Sequence, residues 1–365
     1  MKLKLAVLLL LVVLSACTSS QSDQDMDHFE VFRGTNLAHW LSQSNRRGEA
    51  RAAYITQADI QNIKSMGFDH VRLPVDEEQL WDSSGVRHQD AFRLLTQCIE
   101  WCVENDLRII VDLHILRSHY FNTGDNPLWT DPVEQEKFVA LWMDLSNALK
   151  EYPNNRVAYE LMNEPVADEP DQWNDLVRTT VARIREQEPR RTLLIGSNRW
   201  QSVATFEDLY IPENDPHIIL TFHYYDPFLL THWNASWTAL RSYTGPVHYP
   251  GVLLEKEEYD QLPDSIHAVI GPYRVLEYDK SHILEEWSAA IKVAKRHGLD
   301  LYCGEFGVIK KAPDEDRLRW YQDMIELFEE NQIGYANWNY KSDNFGLVNG
   351  GGQPNSVLID IVSGE

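Results

Sequence analysis

Two glutamates in this 365-residue chain close short apolar runs. Glu164 ends Tyr159-Glu160-Leu161-Met162-Asn163-Glu164-Pro165, and Glu305 ends the apolar part of Leu301-Tyr302-Cys303-Gly304-Glu305-Phe306-Gly307. Each run is made of β-formers and then meets a proline or a glycine, so each delivers a carboxylate to a strand end. Two carboxylates at two strand ends suit acid/base chemistry, in which one group gives a proton and the other stays ionised.

Other apolar runs end in polar or aromatic residues too: Asn36 after Val31-Phe32-Arg33-Gly34-Thr35, Arg72 within His70 to Val75, and His114 after Arg108-Ile109-Ile110-Val111-Asp112-Leu113. Asn198 and Trp200 follow Thr192 to Ser197, His223 and Tyr225 end the run from Ile218, and Trp338 lies in Gly334 to Tyr340. With Asn163-Glu164 and Glu305, these make eight strands. Amphipathic helices are expected between them over 56–67, 91–105, 131–150, 171–187, 282–297 and 314–331, on caps such as Thr56-x-x-Asp59 and Asp131-Pro132. The near-continuous apolar character of the strands fits a parallel sheet covered on both faces.

Eight strands interleaved with helices, without a linker, fit a single α/β domain, a (β/α)8 TIM barrel over 29–365. A long insert, about Asp226 to Tyr278, follows strand six, with five prolines and many aromatics. It reads as a functional loop excursion or a small subdomain. No strand leads into Gly-x-Gly-x-x-Gly, which argues against a dinucleotide fold. In such a barrel the strand carboxyl ends converge, so the polar endings become neighbours. Cleaving a glycosidic bond needs one protonated carboxyl for the leaving oxygen and one ionised carboxylate to attack or stabilise the oxocarbenium-like centre. Arg72 would keep a carboxylate charged, Asn163 and His114 could meet sugar hydroxyls, Tyr225 could bond the nucleophile, and Trp338 could floor the sugar ring.

Leu161-Met162-Asn163-Glu164-Pro165, Gly304-Glu305-Phe306-Gly307, His223-Tyr224-Tyr225, Arg72 and Trp338 together resemble glycoside hydrolase family 5, cellulase-like enzymes within the large clan of (β/α)8 retaining glycosidases. The resemblance runs from about Phe29 to the end of strand eight. It implies Glu164 as general acid/base and Glu305 as nucleophile, with a glycosyl-enzyme intermediate, retained configuration and carboxyls about 5 Å apart. It implies substrate binding by Asn36, Arg72, His114, Asn163, Trp200, His223, Tyr225 and Trp338. Many members carry two adjacent histidines after strand three; here Ile115 follows His114, so His119 is the candidate to supply the second contact. The expected activity is endo-hydrolysis of a β-1,4- or mixed-linkage β-glucan. A mannanase or a β-1,3-glucan exo-hydrolase is the alternative on the same barrel, because loops choose the sugar. A surface glycan-binding lipoprotein without catalysis is a reading from another class, opposed by the presence of both glutamates. Cleft aromatics are sought among Trp40, Trp129, Trp200, Trp233, Trp237 and Trp338, whereas Trp101, Trp142, Trp173, Trp287 and Trp320 fall on helices and read as core.

The bulk numbers agree with a secreted sugar enzyme. The chain is 43% hydrophobic, enough for a sizeable core, and its net charge of −23 argues against a nucleic-acid partner. Lys2 and Lys4 precede an apolar run from Leu5 to Leu14, too short to span a bilayer, and Leu14-Ser15-Ala16-Cys17 resembles a lipobox. Residues 1–16 are therefore expected to be a lipoprotein signal peptide, Cys17 the lipidated residue, and 17–28 a flexible tether. That places a monomeric domain in the cell envelope on a lipid anchor, in the outer membrane and outside the cytoplasm. Cys98, Cys102 and Cys303 remain, an odd number with no metal-ligand spacing, so neither a disulfide framework nor a metal or other cofactor is expected.

Overall fold

The computed structural model describes residues 28–364; the signal segment, Cys17 and all of the tether but His28 lie outside the described residues. Eight parallel strands close into a barrel: β1 Arg33–Asn36, β2 His70–Asp76, β3 Arg108–Ile115, β4 Val157–Glu160, β5 Leu193–Gly196, β6 Ile218–Tyr224, β7 Asp300–Phe306 and β8 Gly334–Asn337. Each pairs with the next, and β8 pairs with β1 from Arg33↔Tyr335 to Thr35↔Asn337. Helices Gln57–Ser65, Gln89–Glu104, Pro132–Leu149, Pro170–Gln187, Lys280–His297 and Asp314–Asn331 cover the barrel. This is the expected (β/α)8 architecture. The connection between β5 and β6 departs from the helical pattern, holding only a short turn and a 3-10 segment, Val203–Asp208.

The caps expected from sequence form. Asp131 accepts from the amide of Val133 with Pro132 at the first helical position, and the Thr56 amide donates to Asp59 Oδ2 at 2.9 Å. Trp142, Trp173, Trp287 and Trp320 are buried between helices and barrel and Trp101 is half-buried there; Cys98, Cys102 and Cys303 are buried free thiols.

The barrel interior is layered. Near the amino ends, Ile110, Ala158, Leu194, Ile219, Tyr302 and Ala336 pack together under Phe29, which precedes β1. Two residues further along β2, β3 and β4 the inward positions are Arg72, Asp112 and Glu160, all fully buried. Inward parity then carries β3 to His114 and β6 to Thr221 and His223.

Strand β7 breaks this parity to good effect. Leu301 and Cys303 face the helix layer and Tyr302 the interior, so strict alternation would send Glu305 outward. Against β6, however, Cys303 pairs with Phe222 and Glu305 with His223, and against β8 the register slips between Tyr335 and Asn337. Gly304 is the extra residue of a bulge. It turns Glu305 inward and Phe306 outward, onto Trp320, Tyr321, Phe328 and Tyr335. A side chain at 304 would stand 3.1 Å from His223 Nε2 and 3.2 Å from Thr221 Oγ1, so the bulge also needs a small residue.

The insert is a small subdomain. It contains helices Phe228–Thr231, Lys256–Asp260 and Asp264–Ile270 and a two-stranded antiparallel ribbon, Gly251–Val252 with Glu277–Tyr278. Its buried Leu230, Leu240, Tyr243, Tyr249, Leu254 and Ile270 join the main core. The Tyr249 hydroxyl donates to Asp323 Oδ2 at 2.7 Å and Trp320 Nε1 to the carbonyl of Asp226 at 3.0 Å, so it is fastened to the barrel helices.

Candidate active site

The carboxyl ends of the strands bring Glu164 and Glu305 together in one buried group. Strand β4 stops at Glu160, short of the expected Asn163, because the chain must turn; the Leu161 amide still bonds Leu194 O and the Asn163 amide bonds Leu113 O, both at 3.1 Å. Glu164 then takes φ 45°, a left-handed conformation that costs a non-glycine residue about 1–2 kcal/mol and aims its carboxyl into the mouth. One oxygen of Glu164, one of Glu305 and a ring nitrogen of His223 all lie within 4.8 Å of one another.

Glu305 is held by two donors: Arg72 Nη1 on Oε1 at 2.7 Å and the Tyr225 hydroxyl on Oε2 at 3.0 Å. Glu164 has neither cation nor phenol. Its partner is His223 Nδ1, 2.9 Å from Oε1. Burial raises the pKa of both acids. Arg72 and Tyr225 oppose that rise at Glu305, whereas the charge of Glu305 adds to it at Glu164, which is pushed well above the carboxylate range. Glu305 therefore ionises first and Glu164 keeps its proton. Arg72 lowers the pKa of Glu305 as expected, and desolvation outweighs that attraction, so the net direction is upward.

Arg72 spends all its donors inside the protein. Nε and Nη2 form a fork with Glu160 at 2.6 and 3.0 Å, Nη1 also reaches Asn36 Oδ1 at 3.0 Å, and Nη2 reaches Asn163 Oδ1 at 2.9 Å and Asp112 Oδ2 at 3.0 Å. Asn36 in turn donates to the carbonyl of Gly304 at 2.9 Å. Both residues are fully buried. They were expected among the substrate contacts; the structure makes them the mounting of Glu305 and its bulge.

His114 stacks on Trp338, rings 5.8 Å apart and nearly parallel, and its Nδ1 lies 2.7 Å from Asp112 Oδ2. Burial lowers its pKa to about 3, so it is neutral. Donation from Nδ1 to Asp112 leaves Nε2 to accept from Gln43 Nε2, at 3.3 Å. Asn163 Nδ2 is buried and has no partner within the protein, a donor left over at the cleft.

The remaining candidates separate. His119 accepts from the amide of Val166 at 3.2 Å and packs on Trp129; it is buried below the loops and does not supply the second histidine contact. Trp40 is fully buried with Nε1 on Arg51 O, Trp129 is buried against Trp173, and Trp233 donates to Gly245 O inside the insert, so these three belong to packing. Asn198 pins Ala167 through both backbone groups and Lys341 pairs with Asp59. Trp338 is 8% exposed, and its peptide to Asn339 is cis.

Among the described residues, Glu164, His223 and Glu305 form the one group whose geometry could hold a metal ion, with Arg72 already bonded to one of the three.

The family description "Cellulase (glycosyl hydrolase family 5)" matches residues 24–344. The chain belongs to glycosyl hydrolase family 5. It is 34% identical over 338 residues to Endoglucanase C of Acetivibrio thermocellus, covering 90% of this chain and 97% of that one. Cellodextrinase A of Ruminococcus flavefaciens is 29% identical over 307 residues, 83% of each chain. The fold matches the Thermotoga maritima Cel5A structure solved with mannotriose at TM-score 0.74 and 23% identity, over 91% of this chain and 97% of that one. This family 5 chain is thus a glycoside hydrolase of the cellulase and endoglucanase group.

Two aromatic walls flank its acids. On one side Trp200, 46% exposed, donates Nε1 to the carbonyl of Phe121 at 3.0 Å, and Phe121 meets His114 edge-on. On the other, Trp237 of the insert is 52% exposed and tilts against Phe345, which borders Tyr225. Sequence reasoning did not single out Asp112, Gln43, Phe121, Phe345, Gln201 or Glu160 as site residues. A charge two positions before a rim residue, as Asp112 stands before His114, was the available signal.

Proposed function

We propose that the protein is a retaining endo-β-glycanase acting on β-1,4-glucan or mixed-linkage β-glucan, with Glu305 as nucleophile and Glu164 as acid and then base. The observation that carries this is the separation and unequal mounting of the two carboxyls. Oxygens within 4.8 Å leave no room for the water that inversion places between the second carboxylate and the anomeric carbon, and match the ~5 Å spacing of retaining pairs. Glu305, fixed by Arg72 and Tyr225, attacks the anomeric carbon while Glu164 gives its proton to the departing oxygen. Once Glu305 is esterified its negative charge is gone, so Glu164 loses the neighbour that raised its pKa and becomes the base that takes a proton from water. Asn163 Nδ2 is the donor left for a sugar hydroxyl, His114 Nε2 being taken by Gln43, and Trp338 backs the ring. The two exposed aromatic walls support binding within a chain rather than only at its end, and the names of the relatives favour glucan.

Azide tests the roles. With Glu305→Ala, azide should attack the anomeric carbon from the vacated face and give an α-glycosyl azide from an activated β-cellobioside. With Glu164→Ala it should displace the glycosyl-enzyme and give the β-azide. The opposite pairing, or full activity of either variant, would sink the assignment. A mannoside cleaved faster than the cellobioside would move the substrate to mannan.

A further inference from the structure

Strand β5 contributes no side chain to the charged layer of the barrel, because its inward residue there is Gly196. The space is filled from outside the strand. Arg199, Trp200 and Gln201 form a left-handed turn, with φ of 56°, 62° and 55°. This turn sends Trp200 out to the cleft and Gln201 down into the barrel, where it is fully buried. A methyl added at residue 196 would stand 2.4 Å from Gln201 Nε2 and 2.5 Å from its Cγ, so glycine is what admits the side chain. Three consecutive non-glycine residues in this region are a strained arrangement, which persists only where its surroundings over-determine it.

What Gln201 reaches is specific. Nε2 donates to Glu160 Oε1 at 3.0 Å and to the carbonyl of Met162 at 3.3 Å. Both partners are acceptors, which fixes the amide with its nitrogen toward them. Glu160 grips Arg72, which grips Glu305. Met162 lies two residues before Glu164. The same turn also bonds the loop after Glu164, through the Trp200 amide to Pro165 O at 3.2 Å and Arg199 Nη2 to Asp168 O at 2.9 Å.

We propose that Gln201 is a positioning residue for both acids, its one amide setting how Glu160 shares Arg72 with the nucleophile while pinning the backbone that leads to Glu164. Without its donor, Glu160 satisfies Oε1 by drawing on Arg72 alone, and the guanidinium moves toward Glu160 and off Glu305. Glu305 then becomes easier to protonate. This rests on Glu305 being the nucleophile.

Gln201→Met keeps the volume and removes the donor; Gln201→Glu keeps the shape and donates only while protonated. The substrate is 2,4-dinitrophenyl β-cellobioside, whose leaving group needs no proton, so kcat/KM reports attack by Glu305. For Gln201→Met, kcat/KM should fall on the order of tenfold, the loss of one hydrogen bond to a charged group. Its acidic limb should move to higher pH, while inhibition by cellobiose stays within about twofold of the parent because the sugar contacts are untouched. Gln201→Glu should match the parent at low pH and decline toward the methionine variant as the new carboxyl ionises against Glu160. It also decides the matter should the methionine variant fail to fold. Variants that melt earlier yet keep the parental kcat/KM and pH profile would reduce Gln201 to packing and overturn the proposal. If Glu305→Ala gives no α-azide the premise fails instead; if it does and both Gln201 variants are silent, only this inference fails.

Discussion

Replacing Arg72 by methionine removes the one cation among three buried carboxylates: the fork on Glu160, the contact to Glu305 and the contact to Asp112. Methionine fills most of the space, so the main loss is electrostatic. Removing one partner of a buried ion pair costs about 3–5 kcal/mol, a large share of a stability of roughly 5–15 kcal/mol. For a chain of this length that lowers the melting temperature by roughly 4–7 °C at neutral pH. The pH dependence is the more telling result. Asp112 is already raised to about 7 and Glu160 and Glu305 are raised, chiefly by burial. Losing Arg72 raises all three further. A group whose folded pKa lies above its unfolded value gives stability that is full below the unfolded pKa and is lost as pH rises through the folded one. Denaturant unfolding of parent and variant should therefore show the widest gap near pH 8 and a gap that narrows as pH falls, because the carboxyls take up protons and leave the parent's guanidinium with fewer negative partners. A gap that stays constant with pH, or widens on acidification, would refute the reasoning that Arg72 works by charge.

The proton cycle predicts that Glu164 becomes more acidic when Glu305 is esterified: 13C NMR of labelled glutamate side chains should show its titration at lower pH after trapping with a 2-deoxy-2-fluoro glycoside. An unchanged titration would remove Glu305 as the cause of its raised pKa. The aromatic walls predict a split between binding and chemistry. Trp200→Ala and Trp237→Ala should each raise KM for a long β-glucan about fivefold or more, since one stacking contact is worth about 1–3 kcal/mol on planar ligands and part of it survives as packing. Neither should change kcat by more than about twofold, and a fall in kcat at constant KM would place that ring at the reacting sugar instead.

The barrel was legible because its strands are apolar on both faces and its helices carry ordinary caps, signals local enough to survive without tertiary information. Glu164, Glu305, His114, His223, Tyr225 and Trp338 were legible because polar residues at the ends of apolar strands have few structural uses. What could not be read was which of these groups face the cleft. Arg72 and Asn36 looked like rim residues and lie beneath the nucleophile, because depth along a strand depends on barrel tilt and register. The inward aim of Glu305 hangs on a bulge at Gly304, and its sequence signature is one glycine in an otherwise regular run. Gln201 was the least accessible of all. Its neighbours suggest a solvent-facing loop, and only a left-handed turn over Gly196 takes it inside.

The charged interior makes sense only as a device for keeping two similar acids different. Glu164 and Glu305 are both buried at the same mouth, and desolvation alone would raise them together. A single cation placed under one of them breaks that symmetry, but a buried guanidinium with one partner would bind it too tightly and leave a poor nucleophile. Glu160 and Asp112 divide the attraction of Arg72, and Asn36 and Asn163 occupy the donors that remain. Glu305 is thus held by one N–H of the guanidinium and one phenol, enough to ionise before Glu164 and still able to give up its charge to carbon. Such an arrangement sacrifices stability that a packed apolar layer of the same volume would supply. It also explains why the apolar layer of the interior sits at the amino end, under Phe29, while Arg72, Asp112 and Glu160 occupy the layer beneath the two acids.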